Sequence, residues 1–153
     1  MFKYRYLARM GLQLSDALRP QQGENEDGSA PKILMGTVTG GRINSKILST
    51  NLNWISVRVD GTFDLNLRCD LQLDSGPIVN LNCQGLLYLT PQQWSELAEE
   101  DSAAIVCTSD CYFRTTSSFK TADTNLRWLN NIVSVGTGEV GHRRLELDLF
   151  ELI

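Results

Sequence analysis

Two alternating stretches each carry an arginine in mid-strand, "DLNLRCDLQLD" around Arg68 and "CYFRTTSSF" around Arg114. A guanidinium offers a planar fork of directed donors, suited to a carboxylate, an enolate or a phosphate. Around Arg68 the residues split by parity. Leu65, Leu67, Cys69, Leu71 and Leu73 point one way, while Asp64, Asn66, Arg68, Asp70 and Gln72 point the other. Around Arg114, Tyr112, Arg114 and Thr116 share a face opposed by Phe113 and Thr115. These residue types suit proton transfer on a small organic molecule. Arg68 and Arg114 would hold a developing oxyanion, and Tyr112 or Asp70 would move the proton. Trp54, Tyr88 and Trp128 would shape an apolar wall. The parity has two readings. Either the leucines form a core and the charges face water, or the polar face lines the lumen of a barrel. Arg114 could equally make a strand-to-strand salt bridge with one of the aspartates, and each tryptophan could belong to the core.

Other chemistries are poorly served. "GTGEVG" (Gly136 to Gly141) has the spacing of a dinucleotide loop, but only "HRRLELDLFELI" follows it, which leaves no room for the helix and second strand that such a site requires. A glycine-rich turn between two terminal strands is expected instead. The chain has one histidine, His142, so a nucleophilic triad of the usual kind is not visible, and a surface turn is its ordinary place. Cys107 and Cys111 lie four apart without further ligands at zinc-site spacing, and with Cys69 and Cys83 they are expected to be free thiols. No metal and no cofactor is expected.

The elements that must position these residues are mostly strands. "NWISVRVDGTFDLNLRCDLQLDSGPIVNLNCQGLLYL" alternates with period two and is broken at Asp-Gly and Ser-Gly-Pro, the pattern of an antiparallel meander. "CYFRTTSSF", "WLNNIVSVGTG" and "RRLELDLFELI" continue it. "TPQQWSELAEED" predicts the one helix, with Thr90 as N-cap, Pro91 at the first position and Gln93 closing a capping box. Trp94 and Leu97 would anchor it. "RPQQGENEDGSAPK" (residues 19–32) reads as a mobile surface loop. At 153 residues the chain suits a single domain, 1–153, all-β with one short helix and most simply a closed antiparallel barrel of calycin or lipocalin type. A net charge of −4 argues against nucleic acid, and no apolar run is long enough to cross a bilayer. The first residues interleave Lys and Arg with apolar residues rather than forming a secretion signal, so a cytoplasmic location with reduced thiols is expected.

"CYFRTTSSFKTADTNLRWLNNIVSVGTGE" closely resembles the C-terminal signature of the DUF3237 family, also called UPF0311. "VTGGRI" is similar to that family's T-G-G segment. The stretch 53–85 is similar to its tryptophan strand, D-G-T turn and arginine-bearing strand. The resemblance covers roughly residues 33–153 and implies a compact antiparallel barrel, but little chemistry. Trp54, Arg68, Arg114, Thr115, Trp128 and Asn130 fall on motif positions, while Asn53 and Asn66 stand where relatives carry aspartate. Asn53, Asn66 and Asn130 thereby join the candidate substrate-binding residues. Three functions remain in play: a cofactor-independent cyclase, isomerase or dehydratase of a polyketide-like or carbonyl compound; a binding or carrier module for such a ligand; and a scaffold whose polar face meets a partner. A homodimer is expected from the strand content.

Overall fold

The computed structural model describes residues 1–18, 32–57, 62–100 and 102–153, and within residues 49–57 the backbone alone. The loop expected at 19–32 therefore lies outside the described residues, save Lys32, whose backbone exchanges hydrogen bonds with Ser15.

Nine strands form one sheet: β1 (Tyr4–Leu14), β2 (Ile33–Thr39), β3 (Asn44–Val57), β4 (Thr62–Leu73), β5 (Ile78–Tyr88), β6 (Ile105–Val106), β7 (Tyr112–Lys120), β8 (Val133–Gly141) and β9 (Arg144–Leu152). Their spatial order is β6-β8-β7-β5-β4-β3-β2-β1-β9, and β8 also pairs with β9. That last pairing closes eight strands into an antiparallel barrel and leaves β6 as a short ninth strand beside β8. The expected meander is present as β3, β4 and β5. The turn after β4 works because Gly76 adopts φ +108°, a region other residues rarely enter, while its N–H donates to the Leu73 carbonyl at 2.8 Å.

An eight-stranded barrel has an interior just wide enough for side chains to fill. The period-two pattern decides what fills it. On β4 the buried residues include Phe63, Leu65, Leu67, Cys69, Leu71 and Leu73, and they share one core with Met10 and Leu12 from β1, Leu81 and Leu87 from β5, and Phe113 and Phe119 from β7. The polar residues of β4 therefore lie on the outer wall. Of the two readings of the parity, the leucine core is the one the structure adopts.

The helix α1 (Pro91–Ala98) matches the expectation in detail: Thr90 Oγ1 accepts from the Gln93 N–H at 3.2 Å, and Gln93 Oε1 accepts from the Thr90 N–H at 2.9 Å. Trp94 and Leu97 are buried, with the Trp94 ring centroid 4.8 Å from that of Phe63. A 3₁₀ segment (Thr124–Asn131), unforeseen as an element, links β7 to β8 at the other end of the barrel and buries Leu129. No described helix is long and apolar enough to cross a membrane.

The glycines of "GTGEVG" require a correction. They form no turn. Gly136, Gly138 and Gly141 all belong to β8, and the turn falls on His142 and Arg143. Packing is the reason: a Cβ on Gly138 would stand 2.5 Å from Cδ2 of Phe113, and one on Gly136 would collide with Thr115 Oγ1. The lumen on this side is filled by the neighbouring strand's side chains instead.

Two predictions follow from the packed lumen. Overpacking costs about 1–3 kcal/mol, so Gly138→Ala should lower the unfolding free energy by that amount, read as a lower denaturant midpoint at unchanged slope. Burial pushes the Cys69 thiol up to about 12 and raises Cys83 as well. A thiol reagent at pH 8 should therefore label the exposed Cys107 first in the native protein, the half-buried Cys111, whose thiol burial also raises, more slowly, and Cys69 and Cys83 only after unfolding.

Candidate functional site

Cross-strand register converts the outer face of β4 into a two-row patch. Asn66 stands beside Gln84, which stands beside Thr116, which stands beside Val135. One step along, Asp64, Leu86, Arg114 and Thr137 make the parallel row. Together with Tyr112 these residues line a groove of about 710 Å³ on the wall formed by β4, β5, β7 and β8. That volume falls within the range of small-molecule sites.

Arg114 lies on the groove floor, half-buried. Its Nη1 donates to the Phe113 carbonyl at 2.9 Å, and its Cζ lies 5.2 Å from the centroid of the Tyr112 ring. It has no carboxylate partner among the described residues. Arg9, further round the same wall, shows what a structural arginine looks like here. Its guanidinium bonds Asp148 at 3.0 Å and Glu139 at 2.8 Å, and it also bonds Glu146. Arg9 holds the Glu146 carboxyl below the usual carboxylate range. The contrast matters because a half-buried charge gains little from the protein unless something opposite in sign meets it.

The other expected residues are dispersed. Arg68 and Asp70 continue outward along β4, beside Asn82 and Asn80 respectively. Asp70 accepts a hydrogen bond from Asn80 Nδ2. Four residues of strand separate Asp70 from Asn66, about 13 Å, so the structure does not bring Asp70 to Arg114. Tyr88 is directly opposite Tyr112, and both rings are exposed at the rim. Asn53 and Trp54 pair in register with Asn66 and Leu65, but their side chains lie outside the described residues.

Trp128 and Asn130 sit on the 3₁₀ segment, away from the groove. Asn130 clamps the chain: its Oδ1 accepts from the Thr121 N–H at 2.8 Å, and its Nδ2 donates to the Thr121 carbonyl at 2.9 Å. Trp128 carries the Arg42 guanidinium 4.3 Å above its ring. Arg42 also bonds the buried carboxylate of Glu151, which Arg5 meets at 3.0 Å. This Trp128–Arg42–Glu151–Arg5 chain ties the 3₁₀ segment and the β2–β3 connection to both terminal strands. Sequence reasoning put Asp64 and Thr116 on polar faces without giving them a role, and passed over Gln84, Leu86, Val135 and Thr137. The usable signal was register: each is an outward residue on the strand of Arg114 or Asn66 or on one beside it.

With the fold and groove in hand, comparison with known proteins places the chain. The family model described as "Protein of unknown function (DUF3237)" matches residues 2–152, and the chain belongs to that family of β-barrel proteins. A UPF0311 protein of Clostridium acetobutylicum is 29% identical over 103 residues, 67% of this chain and 63% of that relative's length. The crystal structure of a conserved protein of unknown function from Rhodopseudomonas palustris superposes with a TM-score of 0.79 at 19% identity, covering 100% of this chain and 99% of that one. That of a protein from Penicillium herquei, described as an enzyme, superposes with a TM-score of 0.61 at 13% identity, covering 99% and 95%.

Arg42 and Arg5 hold the Glu151 carboxyl below its ordinary range, with the Arg42 hydrogen bond the leading cause. A depressed carboxylate adds stability that is present above its unfolded pKa and lost as pH falls through the folded value. Glu151→Gln should therefore lower the melting temperature at pH 7. The gap to wild type should narrow as the pH drops below about 4, from the unfolded glutamate value of roughly 4.3. Melting curves from pH 2 to 7 test this.

Proposed function

We propose that the outer-wall groove holds a small organic molecule carrying a carbonyl, enolate or carboxylate oxygen, and that the protein moves a proton on it without a cofactor. The observation that carries this reading is Arg114, a half-buried guanidinium with no carboxylate partner among the described residues, in a groove whose walls include Leu86 and Val135. An oxygen anion, or a carbonyl that becomes one, fits a fork of donors so placed. Asp64 is the carboxylate that shares the groove, in place of the distant Asp70, and Tyr112 is the hydroxyl donor at its edge. In the proposed step, Asp64 takes a proton from carbon adjacent to the carbonyl. The electron pair moves onto the oxygen facing Arg114. Return of a proton from Tyr112 to another carbon gives an isomer, or Tyr112 gives its proton to a β-hydroxyl that leaves as water, which gives dehydration; in either case the proton on Asp64 passes through solvent to restore Tyr112. The description of the Penicillium herquei relative as an enzyme accords with turnover on this fold.

A second reading, binding without turnover, has its own support. The groove is open to solvent and Tyr112 is 52% exposed, so water is not excluded from the reacting oxygen. A homodimer seated on this wall would supply a roof, and light scattering during gel filtration reads that state directly.

The experiment is a screen of small β-keto and β-hydroxy acids by ligand-observed NMR, followed by affinity and product formation for three variants. A hydrogen bond to a charged group contributes about 1.5–3 kcal/mol. Arg114→Ala should thus weaken binding by roughly 10- to 100-fold. Tyr112→Phe and Asp64→Asn should cut product formation by about 10²–10⁴ with affinity within a few-fold of wild type. Binding that ignores Arg114→Ala sinks the site. Binding that needs Arg114 with no product from the wild-type protein leaves the carrier reading standing alone.

A further inference from the structure

The other half of the barrel wall carries a second groove, of about 850 Å³, where β3, β2, β1 and β9 meet the segment 102–105 and the β8–β9 turn. Its centre is Gly11. Register sets Thr37 on one side of Gly11 and Glu146 on the other, and Lys46 lies beyond Thr37. A Cβ at Gly11 would meet nothing within 4 Å, and its φ lies outside the left-handed region. Neither packing nor backbone geometry therefore requires glycine here. Yet glycine within a strand costs conformational entropy and leaves a gap in the outer surface. The gap opens directly into the groove.

The walls are amphipathic. On the β2 side Leu34 and Met35 are 64% and 63% exposed. At the other end stand His142, Arg143 and Arg144, with Ile105, 44% exposed, beside Gly141 in register. Arg144 is laid in place by its stem, whose Cγ is where a Gly141 Cβ would come within 2.7 Å. Glu146 is the carboxylate on the groove wall, and Arg9 already holds it, leaving Arg144 3.9 Å away. Arg143 has no ion pair among the described residues. His142 Nδ1 lies 2.5 Å from the Leu97 carbonyl at the end of α1. A carbonyl only accepts, so Nδ1 carries the hydrogen, and Nε2 is the free nitrogen on the opposite edge of the ring.

We propose that this groove is a binding site for a carboxylate with an unbranched apolar tail, of the class of medium-chain fatty acids. The head lies against Arg143 and Arg144, and the tail crosses Gly11 to Met35 and Leu34. Charge selects the occupant: an apolar trough ending in two arginines rejects a cationic amphiphile and holds an anionic one. This inference does not depend on the Arg114 groove, with which it shares no lining residue.

The probe is decanoate below its micelle-forming concentration, titrated into the full chain by calorimetry, with decyltrimethylammonium as the charge-reversed control. Wild type should bind decanoate saturably and one to one, and should not bind the cation. Gly11→Phe fills the trough from an open position. It should weaken binding at least tenfold while the circular dichroism melt is unchanged or raised. Arg143→Gln with Arg144→Gln should weaken binding at least tenfold, and Arg114→Ala should leave it within twofold. Four results overturn the proposal: no saturable binding, equal binding of the cation, affinity indifferent to Gly11→Phe, or loss of binding in Arg114→Ala, which would assign the ligand to the other groove.

Discussion

Closure of the sheet by β8 on β9 is the constraint from which the rest of the structure follows. Once eight strands close, every strand must choose one face for a lumen of fixed and narrow width, and period-two alternation makes that choice for all residues at once. Leu67, Leu71, Leu81, Leu147 and Leu149 go inside and are at most 2% exposed. Burial of each such side chain is worth about 1.5–3 kcal/mol, so no strand can flip its faces. Arg114, Asp64 and Tyr112 are thereby left on the outer wall, where they line one groove.

The same constraint explains the glycines. A strand that must pass close to Phe113 and Thr115 can do so only where it lacks a Cβ, and Gly136 and Gly138 provide those positions. Gly85 plays the matching part on β5, where a Cβ would collide with the backbone carbonyl of Arg114. Thr115 therefore sits between two glycines, and the wall beneath the Arg114 groove is thin there. Gly11 differs in kind, since space surrounds it. These four strand glycines thus serve two ends, three to admit a neighbour and one to leave a hollow.

Arginines divide along similar lines. Arg5, Arg9 and Arg42 are consumed by carboxylates and an aromatic ring, and they join the chain termini to the barrel. Arg114, Arg143 and Arg144 occupy grooves with little or no carboxylate contact. Location in the sheet, not residue type, separates the two sets. Both grooves take their cations from β-strands or a tight turn of the barrel, which are rigid supports for a binding site.

Much of this was legible in the residues themselves. Alternation in "TFDLNLRCDLQL" marks strand and parity locally, and the capping box at Thr90 is a four-residue signal that needs no distant partner. Family membership was likewise carried by short motifs in order. Three things were not legible, each because it depends on residues far apart in the chain. Whether the leucine or the arginine face of β4 looks inward depends on sheet closure, and that involves the last nine-residue strand. The roles of Trp128 and Asn130 depend on Arg42 and Thr121, which the 3₁₀ segment brings to them. Asp64, rather than Asp70, shares a groove with Arg114 because the register across β4, β5 and β7 sets it there. Local alternation and capping chemistry determined the elements. Which faces meet, and so which polar groups share a site, was decided only when closure fixed the register of strands that the sequence holds apart.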